Sequence, residues 1–343
     1  MGQTTSSTAI WLVDAVLGQP EDLPQLADVE RVLPQVIRVL GQNPGQLTLQ
    51  GTNTYLVGTG PQRVLIDTSD GNSYWWPLIQ QVLSEEGAEI TEVLLTHSHY
   101  DHMGNMFEVR SSFPQASIHK WLPCVLGDKD CEQFTAGSLA KTFSKGRRMR
   151  GCGCDGQVPP GCQSLYEGQV FAAGDRTLRV LLTPGHSTDS ACFALEHDNR
   201  VEAIFTGDSV LGGRTARFGD LASYNQSLGR LLRIAMDQGN VLLLPGHGDV
   251  VAASDSEEYL QSILRMQRTR EKAILRTLQV SPGTAGDLCS MLYGSGAAAL
   301  MAQDLVEQHL EDLRERGRVK RSEGVFGRIW WEAARLVPTG HVS

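Results

Sequence analysis

The stretch Thr96-His97-Ser98-His99-Tyr100-Asp101-His102 decides the fold of this chain. It follows a short apolar run and precedes a turn of small residues, as a loop that leaves a buried strand does. Because alternate side chains of an extended segment point the same way, His97 and His99 can converge on one cation. Asp101 and His102, beyond the bend, can face a neighbouring point. Zinc accepts nitrogen and oxygen ligands of this kind, and the alternative interpretation is a polar loop with unrelated histidines.

Three later segments repeat one pattern, in which an apolar strand run ends in a glycine turn followed by a single metal-type ligand. These ligands are His186, Asp208 and His247. We expect strands that run together to place their ends at one edge of a sheet, so that all four motifs meet. Glycine at the turns allows the tight bend that this approach requires.

The predicted ligand set is too large for one tetrahedral zinc ion but suits two metal ions about 3.5–4 Å apart. Water held between two zinc ions loses a proton near neutral pH, so we expect hydrolysis by a metal-bound hydroxide, with two Zn²⁺ per chain and Asp101 and Asp208 as the catalytic carboxylates. Asp67, at the end of its own strand, is expected either to orient a ligand histidine or to be an ordinary turn residue. The first metal is assigned His97, His99 and His186, the second Asp101, His102 and His247, and Asp208 bridges the two.

The composition is typical of a globular intracellular protein. The chain has 343 residues, of which 41% are hydrophobic, enough for one large core and a smaller second unit. No apolar run reaches the length of a transmembrane segment. No Lys or Arg precedes Arg31, which argues against a secretory or transit peptide and leaves the cytoplasm or the mitochondrial matrix. Gly2 lies in a pattern that fits N-myristoylation, and the seven cysteines are expected to be free thiols.

The chain divides into three parts by its patterns. Residues 1–35 are predicted to be a polar N-terminal extension and 36–257 the catalytic domain. Within that domain, 127–168 is an insertion with a basic run beside a Cys/Gly/Pro stretch, which indicates either a solvated loop or an arm that contacts an anionic substrate.

Two local predictions in the catalytic domain concern its first half. A first strand is expected at 36–40 and a pair of strands within 47–57. A helix is expected over 73–86 with Trp76 on its buried face.

Residues 258–343 show three helical patterns followed by a hairpin pattern, which predicts a winged-helix-like domain. Residues 260–343 contain 12 Lys and Arg against 9 Asp and Glu, whereas the whole chain carries a net charge of −9. We therefore expect this tail either to face a polyanion or to be a packing or dimerisation module that makes the protein a homodimer. In the first case Lys320, Arg321 and Arg328 would contact phosphates.

The ligand motif and the later ligands resemble, in order and spacing, the metallo-β-lactamase superfamily. This resemblance implies an α/β fold, the αββα sandwich. The segments Gln42-Asn43-Pro44-Gly45 and Thr183-Pro184-Gly185-His186, the stretch over 49–58 and the tail resemble the β-lactamase-like protein 2 subgroup, which implies a mitochondrial single-strand endoribonuclease. Similar fungal chains are thioesterases that release polyketides from acyl carrier proteins. Asn53 is implied to contact substrate, and Ser69 stands where the superfamily often has glycine.

The leading prediction is thus a binuclear zinc hydrolase that acts as an endoribonuclease on single-stranded RNA. The alternative is a thioesterase acting on acyl-carrier-protein or CoA-type thioesters, which an acidic catalytic domain without an evident phosphate track favours. A third hypothesis, a nucleic-acid-binding protein without catalysis, has the intact ligand set against it.

Overall fold

The computed structural model describes residues 23–123, 161–294, 296–324 and 327–334. The chain forms two compact units, one of which spans Gln19–Leu260 while the other contains Gln261–Ser343. Gly2, most of the predicted insertion at 127–168 and the first part of the predicted extension at 1–35 lie outside the described residues.

Two β-sheets form the frame of the larger unit. The first sheet has the strand order β1-β2-β3-β4-β5-β6-β7, and the second has the order β12-β11-β10-β9-β8. The strands are β1 (Val29–Leu33), β2 (Val36–Leu40), β3 (Asn53–Val57), β4 (Gln62–Ile66), β5 (Glu89–Leu95), β6 (Ser117–Lys120), β7 (Gln163–Ser164), β8 (Val170–Ala173), β9 (Arg176–Leu182), β10 (Ala191–His197), β11 (Arg200–Gly207) and β12 (Leu242–Pro245).

The described part of this unit also contains helices. They are α1 (Trp75–Glu86), α2 (Tyr100–Met103), α3 (Met106–Ser112), α4 (Leu221–Gln238) and α5 (Ser256–Val280), the last of which continues into the second unit.

Apolar side chains from both sheets meet in one core, because strands with a buried apolar face must cover it against another layer. Tyr55 of β3 and Phe205 of β11 make an edge-to-face ring contact at 5.1 Å between centroids. A separate core joins the other side of the first sheet to α1, through Ile79 and Val82 among others, while α4 contacts β11 of the second sheet. The predicted α/β sandwich is therefore confirmed.

The strand predicted at 36–40 is confirmed as β2, but three other expectations for the first half of the chain are wrong. β1 precedes the predicted first strand and pairs with it, so part of the predicted extension belongs to the first sheet. In 47–57 only β3 is a strand, because Leu49 adopts a left-handed φ of +55° in a turn. α1 begins at Trp75, where the Asn72 side chain accepts hydrogen bonds from the first backbone N–H groups, and it buries Trp75 rather than Trp76.

The smaller unit contains the rest of α5, helices α6 (Ala285–Tyr293) and α7 (Ala297–Glu315), and the antiparallel strands β13 (Val319–Glu323) and β14 (Ile329–Ala333). Thr284 caps α6 in a reciprocal pair with Asp287. Backbone hydrogen bonds join Gly283 to Trp331 of β14, so the hairpin is tied to the start of α6. The predicted helices and hairpin are thus present, and their description as a winged-helix-like domain at 258–343 stays a prediction.

Among the described residues, no helix has the length and apolar character needed to cross a membrane.

Trp75 provides a direct test of the core between α1 and the first sheet. Its ring is fully buried, and its Nε1–H donates to Thr54 Oγ1 at 2.9 Å. We expect Trp75→Ala to lower the free energy of unfolding by about 3–5 kcal/mol, measured by urea denaturation, because the cavity cannot fully collapse. Trp76→Ala is the matched control, since that ring is only half-buried, and an equal loss in both variants would contradict this assignment.

Candidate metal centre

Four strand ends bring the predicted ligands together. β5 of the first sheet leads into the 96–102 segment, while β9, β11 and β12 of the second sheet lead to His186, Asp208 and His247. β11 and β12 are parallel, and β10 runs antiparallel to both β9 and β11, so these three ligand strands share one direction. The expectation that all four motifs share the edge of one sheet is wrong, because the centre lies where the ends of two facing sheets meet.

The first group of donors is made of three histidines and one aspartate. His97 Nε2 lies 2.8 Å from His99 Nδ1, and His186 Nε2 lies 3.2 Å and 3.0 Å from these two atoms. Asp208 Oδ2 is 3.5 Å from His186 Nε2. One ligand atom from each residue thus lies within 4.8 Å of the others, as one metal ion requires.

The second group lies beside the first. His247 Nε2 is 3.2 Å from His102 Nε2 and 3.1 Å from Asp101 Oδ2. Asp208 Oδ1 lies 3.3 Å from His102 Nε2 and 3.5 Å from His247 Nε2. Asp208 therefore presents one oxygen to each group, which is the arrangement expected of a bridging carboxylate.

Protein acceptors hold the far side of the histidine rings and so set which nitrogen faces the centre. Asp67 Oδ2 accepts from His102 Nδ1 at 2.7 Å, and the same oxygen accepts from Thr96 Oγ1 at 2.8 Å. Thr96 Oγ1 has given its hydrogen to Asp67, so it accepts from His97 Nδ1 at 3.0 Å.

Two backbone carbonyls hold the remaining rings that present Nε2. The carbonyl of Arg217 accepts from His186 Nδ1 at 2.8 Å, and that of Gly51 accepts from His247 Nδ1 at 3.4 Å. His99 differs from the other four, since it presents Nδ1 to the centre.

Burial and charge tune this cluster towards a cation. Burial lowers the pKa of His97 well below its usual range and the pKa of His99 to about 4, which keeps both rings in the neutral form that binds metal. Burial alone would raise the carboxyl pKa values, but neighbouring histidines lower the pKa of Asp101 to about 2 and that of Asp208 well below its ordinary value. Despite burial, nearby carboxylates raise the pKa of His102 well above its ordinary value. The carboxylates that raise this pKa would equally favour a metal cation at the centre.

One further observation indicates that this donor set suits a metal ion. Asp208 Oδ1 is buried and has no hydrogen-bond partner among the described residues. A buried carboxylate oxygen without a hydrogen bond destabilises the folded protein. A cation bound beside Asp208 Oδ1 would supply the missing interaction. Imidazole nitrogens and carboxylate oxygens suit zinc and related divalent ions.

The residues predicted to contact substrate are placed differently. Asn53 is 1% exposed, and its amide donates to the carbonyls of Pro245 and Gly248 at 3.0 Å and 2.7 Å. Its side chain therefore holds the turn that carries His247, and this position does not support the predicted contact. The other three, Lys320, Arg321 and Arg328, are exposed on and beside the hairpin of the smaller unit.

Sequence reasoning missed the charged side chains that hold the ligand turns. Arg38 of β2 is buried and donates to Asp249 at 3.4 Å, two residues after His247. Lys120 of β6 and Asp189, three residues after His186, form a buried ion pair. For Arg38 the available signal was a cation inside an apolar strand, because such a group is rarely buried without a partner, whereas Lys120 at the end of β6 offered no such signal.

Comparison with known proteins agrees with this centre. The family model of the metallo-beta-lactamase superfamily matches residues 47–275. A solved beta-lactamase domain protein from Burkholderia ambifaria has the same fold, with a TM-score of 0.70 and 21% identity over 91% of this chain and 96% of that one. The fold and the clustered donors define a hydrolase-type α/β sandwich. The chain belongs to the metallo-β-lactamase superfamily.

Two relatives of this chain indicate a narrower group within the superfamily. The chain is 34% identical over 329 residues to an atrochrysone carboxyl ACP thioesterase of Passalora fulva, covering 93% of this chain and 87% of that protein. It is 37% identical over 270 residues to a protein of the same name from Aspergillus fumigatus, covering 78% and 72%.

These relatives contradict the leading prediction of an endoribonuclease on single-stranded RNA, and they favour the thioesterase alternative. The superfamily motif specifies metal ligands, which serve many hydrolyses, so it could not decide the substrate. No comparison supports the predicted RNA binding, mitochondrial location or homodimer.

Asp208→Ala tests the shared carboxylate. Because each oxygen faces one donor group, we expect zinc affinity to fall by at least about 10–100-fold, the loss typical of residues that merely support a ligand. Far-UV circular dichroism should be unchanged, since the strand before Asp208 packs regardless. Asp237→Ala, an exposed change on α4, is the control. Wild-type zinc content in Asp208→Ala would contradict the bridge.

Proposed function

We propose that this protein is a metal-dependent thioesterase that hydrolyses the thioester between an acyl chain and its carrier protein, with CoA-type thioesters as smaller substrates of the same class. The similarity to the Passalora fulva ACP thioesterase, which extends over 93% of this chain, carries the proposal. The complete donor set at the two sheet ends supports it, because a hydrolase needs a means to activate water.

We further propose two metal ions, with zinc as the first candidate. His97, His99 and His186 would hold one ion, Asp101, His102 and His247 the other, and Asp208 would serve both. When bound, the ions would supply a water of lowered pKa and a Lewis acid for the thioester carbonyl. Asp67 would fix the orientation of His102 through its 2.7 Å hydrogen bond.

The exposure and charge of the two aspartates indicate how substrate and water would reach the centre. The Asp101 side chain is 26% exposed, against 11% for Asp208, so substrate and water would approach from the Asp101 side. A pKa of about 2 keeps Asp101 ionised at neutral pH, where it would accept a hydrogen bond from the attacking water and orient it.

A covalent route through cysteine has little support among the described thiols. Burial raises the pKa of Cys162 and Cys192 to about 11 and that of Cys289 to about 12. Since the thiolate is the nucleophilic form, these three groups are poorly suited to attack a thioester. Direct attack by water is therefore the proposed route.

A substrate panel on a single purified sample tests this function. We expect the zinc-loaded protein to release free thiol from an acyl-loaded carrier protein and, more slowly, from acyl-CoA. Treatment with a chelator should abolish release, and added zinc should restore it. An unstructured RNA and a chromogenic cephalosporin complete the panel. Absence of thiol release by fully zinc-loaded wild-type protein would refute the proposal.

A further inference from the structure

The Lys120–Asp189 ion pair joins the two sheets. Lys120 is the last residue of β6 in the first sheet, and Asp189 lies in the turn between β9 and β10 of the second. Their side chains are 3% and 2% exposed. Lys120 Nζ donates to Asp189 Oδ2 and, at 3.0 Å, to the carbonyl of Trp121.

The other oxygen of Asp189 reaches the turn that carries His186. Asp189 Oδ1 accepts from Ser187 Oγ at 2.7 Å, and Ser187 directly follows His186. The same turn is closed by the Ser187 backbone N–H, which donates to Ser190 Oγ at 3.2 Å. The position of His186 is therefore set from the first sheet, through a lysine that does not touch the ligand.

We infer that Lys120 and Asp189 are positioning residues that align His186 for one metal ion, as Asp67 does for His102 in the second group. This inference rests on the proposed metal centre and concerns residues outside the ligand set. A buried ion pair is weak evidence of stabilisation, since an apolar pair of similar volume is often as stable. The carboxylate, however, accepts the Ser187 hydroxyl at 2.7 Å while Lys120 fixes its place, and an apolar pair cannot do this.

The decisive variant replaces the pair together, because removal of one partner would leave a buried unpaired charge and risk unfolding. Lys120→Met combined with Asp189→Leu fills the same space without either charge. We expect this variant to keep an unfolding midpoint near that of the wild type in urea. Its affinity for one of two zinc ions should fall by about 10–100-fold, as loss of supporting residues typically causes, while the other ion is bound as before.

Two further variants separate positioning from general destabilisation. Ser187→Ala leaves the ion pair intact but removes its link to the His186 turn, so we expect weaker binding of the same ion. Arg63→Met is the control, because Arg63 is also buried and pairs with Glu86 at 3.2 Å, but neither residue contacts a ligand turn. This control should lower the unfolding midpoint and leave both zinc affinities unchanged.

Zinc affinity is measured by competition with a fluorescent chelator, without any substrate. Folded Lys120→Met/Asp189→Leu that binds both ions with wild-type affinity would overturn the inference, as would an equal loss in Arg63→Met. Because the readout involves no thioester, wild-type protein that binds two zinc ions but releases no thiol would refute the proposed function and leave this inference standing.

Discussion

The carboxylate of Asp67 is the constraint on which the metal centre depends. Its two oxygens accept three hydrogen bonds, from the Thr96 backbone N–H, the Thr96 hydroxyl and His102 Nδ1. These bonds join the ends of β4 and β5 and orient rings of both donor groups at once. Asp67 adopts a left-handed φ of +58°, a conformation that costs about 1–3 kcal/mol for such a residue. The strain persists because all three donors require the carboxylate at that point.

Close approach of neighbouring groups explains why the turns that carry His186 and His247 contain glycine. A Cβ on Gly185 would lie 2.3 Å from the Cα of Tyr224 in α4, and one on Gly246 would lie 2.6 Å from Asp208 Oδ1. Any side chain at these positions would push a ligand turn away from its neighbours. Ser69 is a contrasting case, because it adopts a left-handed φ of +57° without being glycine. Its hydroxyl donates to the Gly41 carbonyl at 2.8 Å. That hydrogen bond offsets part of the strain.

The features that could be predicted from the sequence are those that depend on residues close together in the chain. Four motifs of apolar strand, turn and ligand are contiguous in the chain, so the residues that the structure gathers in two groups around His97 and His247 could be named from the sequence. The pairing of Lys120 with Asp189 spans 69 positions, and only the facing of two sheets creates it. The helix prediction began two residues early and buried Trp76 in place of Trp75, because Asn72 accepts from the first backbone N–H groups and so sets where α1 begins. Such partners and caps depend on tertiary context, which periodicity does not contain.

The prediction of an RNA substrate was wrong, and the residue types of the donor set explain why. The five histidines and two aspartates of the centre are of the residue types that bind metal, and a metal pair can activate water against a phosphodiester or a thioester alike. The residues that discriminate must therefore lie outside the ligand set, among side chains whose roles no short motif records. Two of the three cations once expected to contact RNA phosphates lie near acidic partners of their own, with Lys320 3.8 Å from Glu332 and Arg321 3.9 Å from Glu311. Such cations face competition from these carboxylates for any phosphate, so a net positive tail is by itself a poor argument for a nucleic-acid substrate.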